Sequence, residues 1–148
     1  MLLLLISVAT ATAVNAVRPS GLPWVVSHDA IYPPPTTQQV EADVTREQVL
    51  AAIDEGAVII DARMEENYFN GHIPGARSFP AHSRFERAGE IFGMAAMDSL
   101  IIVYCGGAEC EESREVYDML TDSGFTNVKL YHGGWQDWMK DNTMPVEE

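Results

Sequence analysis

The segment VYCGGAECEES, residues 103–113, carries both cysteines of the chain, Cys105 and Cys110. An apolar run of β type ends at Tyr104, Cys105 follows at once, and Gly106 and Gly107 precede Ala108, Glu109, Cys110 and a helical pattern. Three chemistries fit: a nucleophilic thiolate at Cys105, a disulfide between the two cysteines, or a buried thiol where a strand stops. The glycines can turn successive amide N–H groups inward, making a cradle for an anion over residues 106–110. The N-terminal end of the following helix adds positive potential, which favours a thiolate. Glu109, Glu111 and Glu112 oppose it if they face the cradle, because like charge disfavours the thiolate. A bond between cysteines so close in sequence closes a short loop and contributes little chain entropy, so it would serve redox chemistry rather than stapling.

The elements that must position this loop are legible on either side of it. T-R-E-Q at 45–48 is a capping box opening a helix over roughly 46–55, with Val49, Leu50 and Ile53 on one face and Gly56 at its stop. AVIID (57–61) is a short, continuous, β-branched run of the kind buried on both faces of a parallel sheet. A short helix around 64–70 leads into GHIPGA, a tight turn, then a second strand at Arg77–Pro80 and a mixed helical stretch over 82–97. SLIIVY (99–104) is the strongest strand and runs directly into Cys105. A helix over 112–123 with Val116, Met119 and Leu120 on one face, a strand VKLYH (128–132) and a last helix at 135–140 complete the pattern. Strands alternating with helices predict an α/β fold on a parallel sheet, and in such sheets ligands bind beyond the carboxyl ends of the strands. Cys105 is at such an end.

The chain has 148 residues, a size for one domain, and 47% hydrophobic residues suffice for a core. A net charge of −13 excludes nucleic acid as a partner and disfavours anionic membrane surfaces. Residues 1–17, beginning MLLLLISVATATA, carry an apolar run followed by small residues, as a signal peptide does. Retained rather than cleaved, residues 2–17 would be a membrane anchor, so the expected location is exported, periplasmic or anchored facing the periplasm. Prolines at 19, 23, 33, 34 and 35 make residues 18–42 a linker, leaving 43–148 as the folded domain.

Several ordered motifs then resemble the rhodanese-like domain family of sulfurtransferases over roughly residues 43–147. IIDAR (59–63) resembles the family's D-x-R strand end, and EENYFNGHIPGA (65–76) its E-x-Y-x-x-G-H-I-P-G-A signature. IVYC (102–105) resembles the strand leading to the active-site loop, and YHGGW (131–135) with Trp138 the C-terminal G-G-W-x-x-W element. The resemblance implies a five-stranded parallel sheet with helices on both faces. It implies that Cys105 takes the outer sulfur of a donor, holds it as a persulfide and passes it to a nucleophile, without metal or organic cofactor. The donor would be a small sulfur compound (thiosulfate, polysulfide or persulfide), and the acceptor a thiol, a thioredoxin-like protein among the candidates. Asp61, Arg63 and Ser113 would support the loop, His72 would be a packed turn residue, and Trp135 and Trp138 core or pocket wall.

The chain departs from the family at the loop itself. Seven residues separate Cys105 from Ser113, two more than in a frequent family form, and the usual arginine is missing, which argues against the thiosulfate dianion as preferred donor. Glu111 stands where the phosphatase relatives of the fold keep an arginine, which argues against phosphate-ester hydrolysis. Cys110 has no counterpart in the simple family loop and reads either as a resolving thiol or as a spare one. Three functions therefore stand side by side: a sulfurtransferase, a non-catalytic binding module on the same fold, and a thiol redox relay using Cys105 and Cys110.

Overall fold

The structure, a computed structural model, describes residues 43–148. The signal or anchor segment and the linker lie outside the described residues. Along the chain run α1 (Arg46–Asp54), β1 (Val58–Asp61), α2 (Glu65–Phe69), β2 (Arg77–Ser78), a 3-10 turn (Ala81–Ser83), α3 (Ala88–Met94), β3 (Ile101–Tyr104), α4 (Glu112–Asp122), β4 (Val128–Tyr131) and α5 (Gly134–Trp138). The capping box of α1 is complete: the Thr45 amide donates to Gln48 Oε1 at 2.8 Å, and the Gln48 amide donates to Thr45 Oγ1 at 3.4 Å. Helix α4 buries Val116, Met119 and Leu120 and stops before Gly124, whose φ of +99° no side-chain-bearing residue adopts readily.

The sheet is wholly parallel, in the order β2-β1-β3-β4, with Asp61 beside Tyr104 and Tyr104 beside Tyr131 at its carboxyl edge. Because successive strand residues point to opposite faces, the sheet separates two cores. Ile60, Ile101, Val103, Cys105 and Leu130 pack with Ile91 of α3 and with Val116 and Leu120 of α4. Ile59, Ile102, Tyr104 and Tyr131 pack on the other side with Val49 and Ala52 of α1 and Trp138 of α5. Cys105 and Tyr104, neighbours in the chain, thus enter different layers.

One expectation is corrected. Among the described residues the sheet has four strands, not five. Beyond β4 the described residues contribute an isolated parallel bridge of Asp43 to Leu130, with the Val44 amide donating to the Leu130 carbonyl at 2.8 Å. The chain leaves that edge at once, because Thr45 caps α1. Among the described residues no helix is long and apolar enough to cross a membrane.

The burial gradient sets a stability test. Leu120 is 0% exposed and Phe69 is 70% exposed. Leu120→Ala should lower the unfolding free energy by about 2–5 kcal/mol through lost burial and a residual cavity. Phe69→Ala should change it by less than about 0.5 kcal/mol, both read from urea denaturation.

Candidate active site

The carboxyl edge of the sheet is organised by one buried ion pair. Asp61, the last residue of β1, is 0% exposed. Arg63 Nε donates to Asp61 Oδ1 and Oδ2 at 2.9 and 3.0 Å, Nη2 donates to Oδ2 at 2.6 Å, and the Arg63 amide donates to Oδ1 at 3.0 Å. The Tyr104 hydroxyl donates to Asp61 Oδ2 at 2.6 Å and accepts from the Ile73 amide at 3.2 Å. Arg63 also donates to the Gly71 carbonyl at 2.8 Å, and its guanidinium lies 4.7 Å from the centroid of Trp135. A buried carboxylate is tolerable only when its lone pairs are used, and these contacts use them. Burial disfavours the Arg63 charge, but the Asp61 carboxylate outweighs it and holds the guanidinium above its ordinary value. Burial, reinforced by Asp61, pushes the Tyr104 hydroxyl well above the usual tyrosine range, keeping it a neutral donor.

Cys105 begins where β3 ends, on the face opposite Tyr104. Its carbonyl accepts from the Trp135 amide at 2.9 Å, and the Gly106 carbonyl accepts from the Gln136 amide at 2.9 Å, so the start of α5 grips the first two residues of the loop. That grip requires Gly134. At φ +56°, a Cβ there would sit 2.4 Å from the Cys105 carbonyl oxygen and 3.0 Å from the Gly107 nitrogen. A Cβ on Gly107 would in turn meet Gln136 Oε1 at 2.7 Å. The loop closes on itself where the Cys110 amide donates to the Gly107 carbonyl at 3.0 Å. Among the described residues nothing accepts from the amides of residues 106–109, which leaves them available to a bound group.

The structure joins Cys105 and Cys110 as a disulfide, with Cα atoms 6.3 Å apart. Cys105 is 2% exposed, while Cys110 is half-buried toward solvent. Ser113, itself buried at the start of α4, places its hydroxyl 3.2 Å from Cys105 Sγ, in position to donate to it. Glu112 Oε2 rests against Cys110 Sγ. Beside the disulfide opens a cavity of about 610 Å³ lined by Gly106, Gly107, Ala108, Glu109 and Cys110, with Arg63, Asn67, Glu112 and Gln136 completing the wall. Two acidic residues, Glu109 and Glu112, therefore line the cavity. Arg63, its one cationic liner among the described residues, is tied to Asp61. The Arg114 guanidinium, in the first turn of α4, lies over the Tyr117 ring at 5.2 Å from its centroid.

The remaining motif residues sit outside the cavity. His72 stacks on Tyr68 at 3.8 Å between centroids, and its Nδ1 lies 3.1 Å from the Tyr68 carbonyl oxygen. Trp138 is core, at 0% exposed, whereas Trp135 is the platform for Arg63. Sequence reasoning left out four contributors: Tyr104, Asn67, Gln136 and Gly134 as a packing contact. Strand alternation placed Tyr104 on the face of Asp61, and the G-G-W motif marked Gly134. For Asn67 and Gln136 the exposed polar patterning of their short helices carried no such signal.

Comparison with known proteins agrees with this architecture. The Rhodanese-like domain family matches residues 45–141. The thiosulfate sulfurtransferase GlpE of Pseudomonas entomophila (strain L48) is 34% identical over 104 residues, covering 70% of this chain and 88% of GlpE. The HTH-type transcriptional regulator Rv0324 of Mycobacterium tuberculosis is 33% identical over 109 residues, and the match spans 46% of that regulator and 73% of this chain. The solution structure of the rhodanese-like domain of the Alr3790 protein from Anabaena sp. aligns with a TM-score of 0.59 at 26% identity, covering 72% of this chain and 78% of that domain.

Two substitutions test the scaffold. Gly134→Ala should cost roughly 1–3 kcal/mol of stability through strain at a positive φ, and the displaced Cys105 carbonyl should accelerate alkylation of the reduced loop. Asp61→Asn, which leaves the Arg63 charge buried without its counter-ion, should cost about 3–5 kcal/mol in chemical denaturation.

Proposed function

The chain belongs to the Rhodanese-like domain family, and on that premise we propose that it is a sulfurtransferase whose reduced Cys105 carries a sulfane sulfur as a persulfide. The observation that carries the reading is the loop after β3: a buried Cys105 sulfur beside the Ser113 hydroxyl at 3.2 Å, followed by amides left free to hold negative charge. The Cys105 thiolate attacks the outer sulfur of a donor, the donor's S–S bond breaks, and its electron pair departs with the remainder of the donor. The Ser113 hydroxyl and the loop amides stabilise charge on the sulfur before and after transfer. A nucleophilic thiol acceptor, with a thioredoxin-like protein as candidate, then takes the outer sulfur and restores Cys105. The disulfide must be opened by a thiol reductant before the first cycle.

Thiosulfate is the donor in the name of GlpE. Here the Glu109 and Glu112 carboxylates on the cavity wall, and the engagement of Arg63 by Asp61, argue for a polysulfide or persulfide donor instead of a dianion. The apolar start of the chain supports an exported or membrane-anchored protein, and disulfides persist in such a compartment. A second reading draws on the Cys105–Cys110 bond: a redox relay that exchanges this disulfide with partner thiols and carries no sulfur.

Intact mass spectrometry of the reduced protein after exposure to thiosulfate or to a polysulfide separates the readings. Sulfur transfer predicts that reduced Cys110→Ser gains one sulfur atom, in a larger fraction of chains with polysulfide than with thiosulfate, and that Cys105→Ser gains none. No sulfur gain on reduced Cys110→Ser with either donor would favour the relay where Cys105 is still alkylated readily, and a binding module where Cys105 is inert.

A further inference from the structure

Glu112 was expected only as part of an acidic loop, and the sulfurtransferase reading assigns it nothing. Its carboxylate nevertheless rests against Cys110 Sγ. A sulfur in a disulfide has no proton to give, but once the bond is reduced a Cys110 thiol at this place can donate to the carboxylate. We propose that Glu112 is the proton acceptor for Cys110, and that together they discharge the Cys105 persulfide as hydrosulfide, making a dithiol the reductant that drives turnover. The proposal rests on the sulfurtransferase reading and adds the fate of the sulfur.

The geometry selects the atom attacked. Cys110 Sγ meets Cys105 Sγ, which in a persulfide is the inner sulfur, and the disulfide of the structure is the bond such an attack forms. Glu112 takes the Cys110 proton, and the thiolate pair then forms the Sγ–Sγ bond. The bond from Cys105 Sγ to the outer sulfur breaks with its pair on that sulfur, which leaves as HS⁻. Hydrosulfide is a better leaving group than an alkyl thiolate, which favours exchange in this direction. A dithiol then reduces the disulfide by two successive exchanges, supplying two electrons and two protons. The net change is a persulfide and a dithiol converted to a thiol, hydrogen sulfide and a disulfide.

The surroundings suit this outcome. The charged groups facing Cys110 across the cavity are Glu109 and Glu112 from the loop and the first turn of α4, and Arg63 from the turn after β1, while Asn67 and Gln136 are neutral. Since Asp61 engages Arg63, the field at the cavity mouth is negative and favours expulsion of HS⁻ over entry of an anionic acceptor.

The test is a single turnover. Reduced wild type, Cys110→Ser and Glu112→Gln are loaded with a low-molecular-weight persulfide, the excess is removed, and sulfide release is followed with an electrode while intact mass reports the protein. Wild type should release one sulfide per chain with no added reductant and end two hydrogens lighter than its reduced form. Cys110→Ser should keep the added sulfur, with release slowed at least about tenfold. Glu112→Gln should reach the wild-type end state, but about tenfold or more slowly at neutral pH. Its release rate should rise with pH over a range displaced upward from wild type, because the thiol must then ionise unaided. Release from Cys110→Ser at the wild-type rate, or an undisplaced profile in Glu112→Gln, overturns the proposal while leaving the sulfurtransferase reading standing. No added sulfur on Cys110→Ser, where nothing can discharge it, overturns that reading and the proposal with it.

Discussion

The carboxyl edge of this domain depends on neutralising one carboxylate in the dark. Asp61 is 0% exposed, and the Gly71 turn, the Trp135 ring and Ile73 meet it through Arg63 or Tyr104. Arg63 ties it to the Gly71 turn and the Trp135 ring, and Tyr104 ties it to Ile73 and to the strand that delivers Cys105. Truncating any one member would strand a desolvated charge or dipole, so the cluster resists piecemeal change. Its value lies less in net stability than in geometry, because a buried pair of this kind is poor evidence for stabilisation but holds three chain segments at fixed separations.

The alternation of β3 keeps that scaffold apart from the chemistry. Tyr104 turns into the layer of α1 and α5, and Cys105 into the layer of α3 and α4. The Cys105 sulfur consequently has the Ser113 hydroxyl beside it, while the Arg63 guanidinium is committed to Asp61 below the other face. Shared elements connect the two sides through the backbone, where Trp135 and Gln136 donate to the carbonyls of Cys105 and Gly106.

How much of this was legible in the sequence follows from the range of each interaction. Local patterns were readable: the Thr45 capping box, the β-branched runs of β1 and β3, and the apolar face of α4 all reflect neighbours within a few residues. The number of strands was not, since the resemblance implied five and the described residues form four, with the Asp43–Leu130 bridge beyond β4. Asp61, Arg63 and Cys105 were visible as types at an expected edge, but the stacking of Arg63 on Trp135 joins segments from opposite ends of the domain and leaves no local trace. The cysteine pair stayed ambiguous because its spacing suits both a free nucleophile and a disulfide, and the turn from Gly107 to Cys110 that brings them together is a matter of loop conformation.

The loop is anchored to the sheet layers at its two ends, where α5 grips Cys105 and Gly106 and Ser113 is buried in the first turn of α4; between them it is closed on itself by the Cys105–Cys110 bond and the Gly107–Cys110 turn. Residues 107–112 between those anchors bear no sheet hydrogen bond and no part of either core's central packing. Such a segment behaves as an interchangeable cassette. Its length and charge can be exchanged by grafting, with the platform beneath it undisturbed, so long as Cys105 and Ser113 keep their anchors.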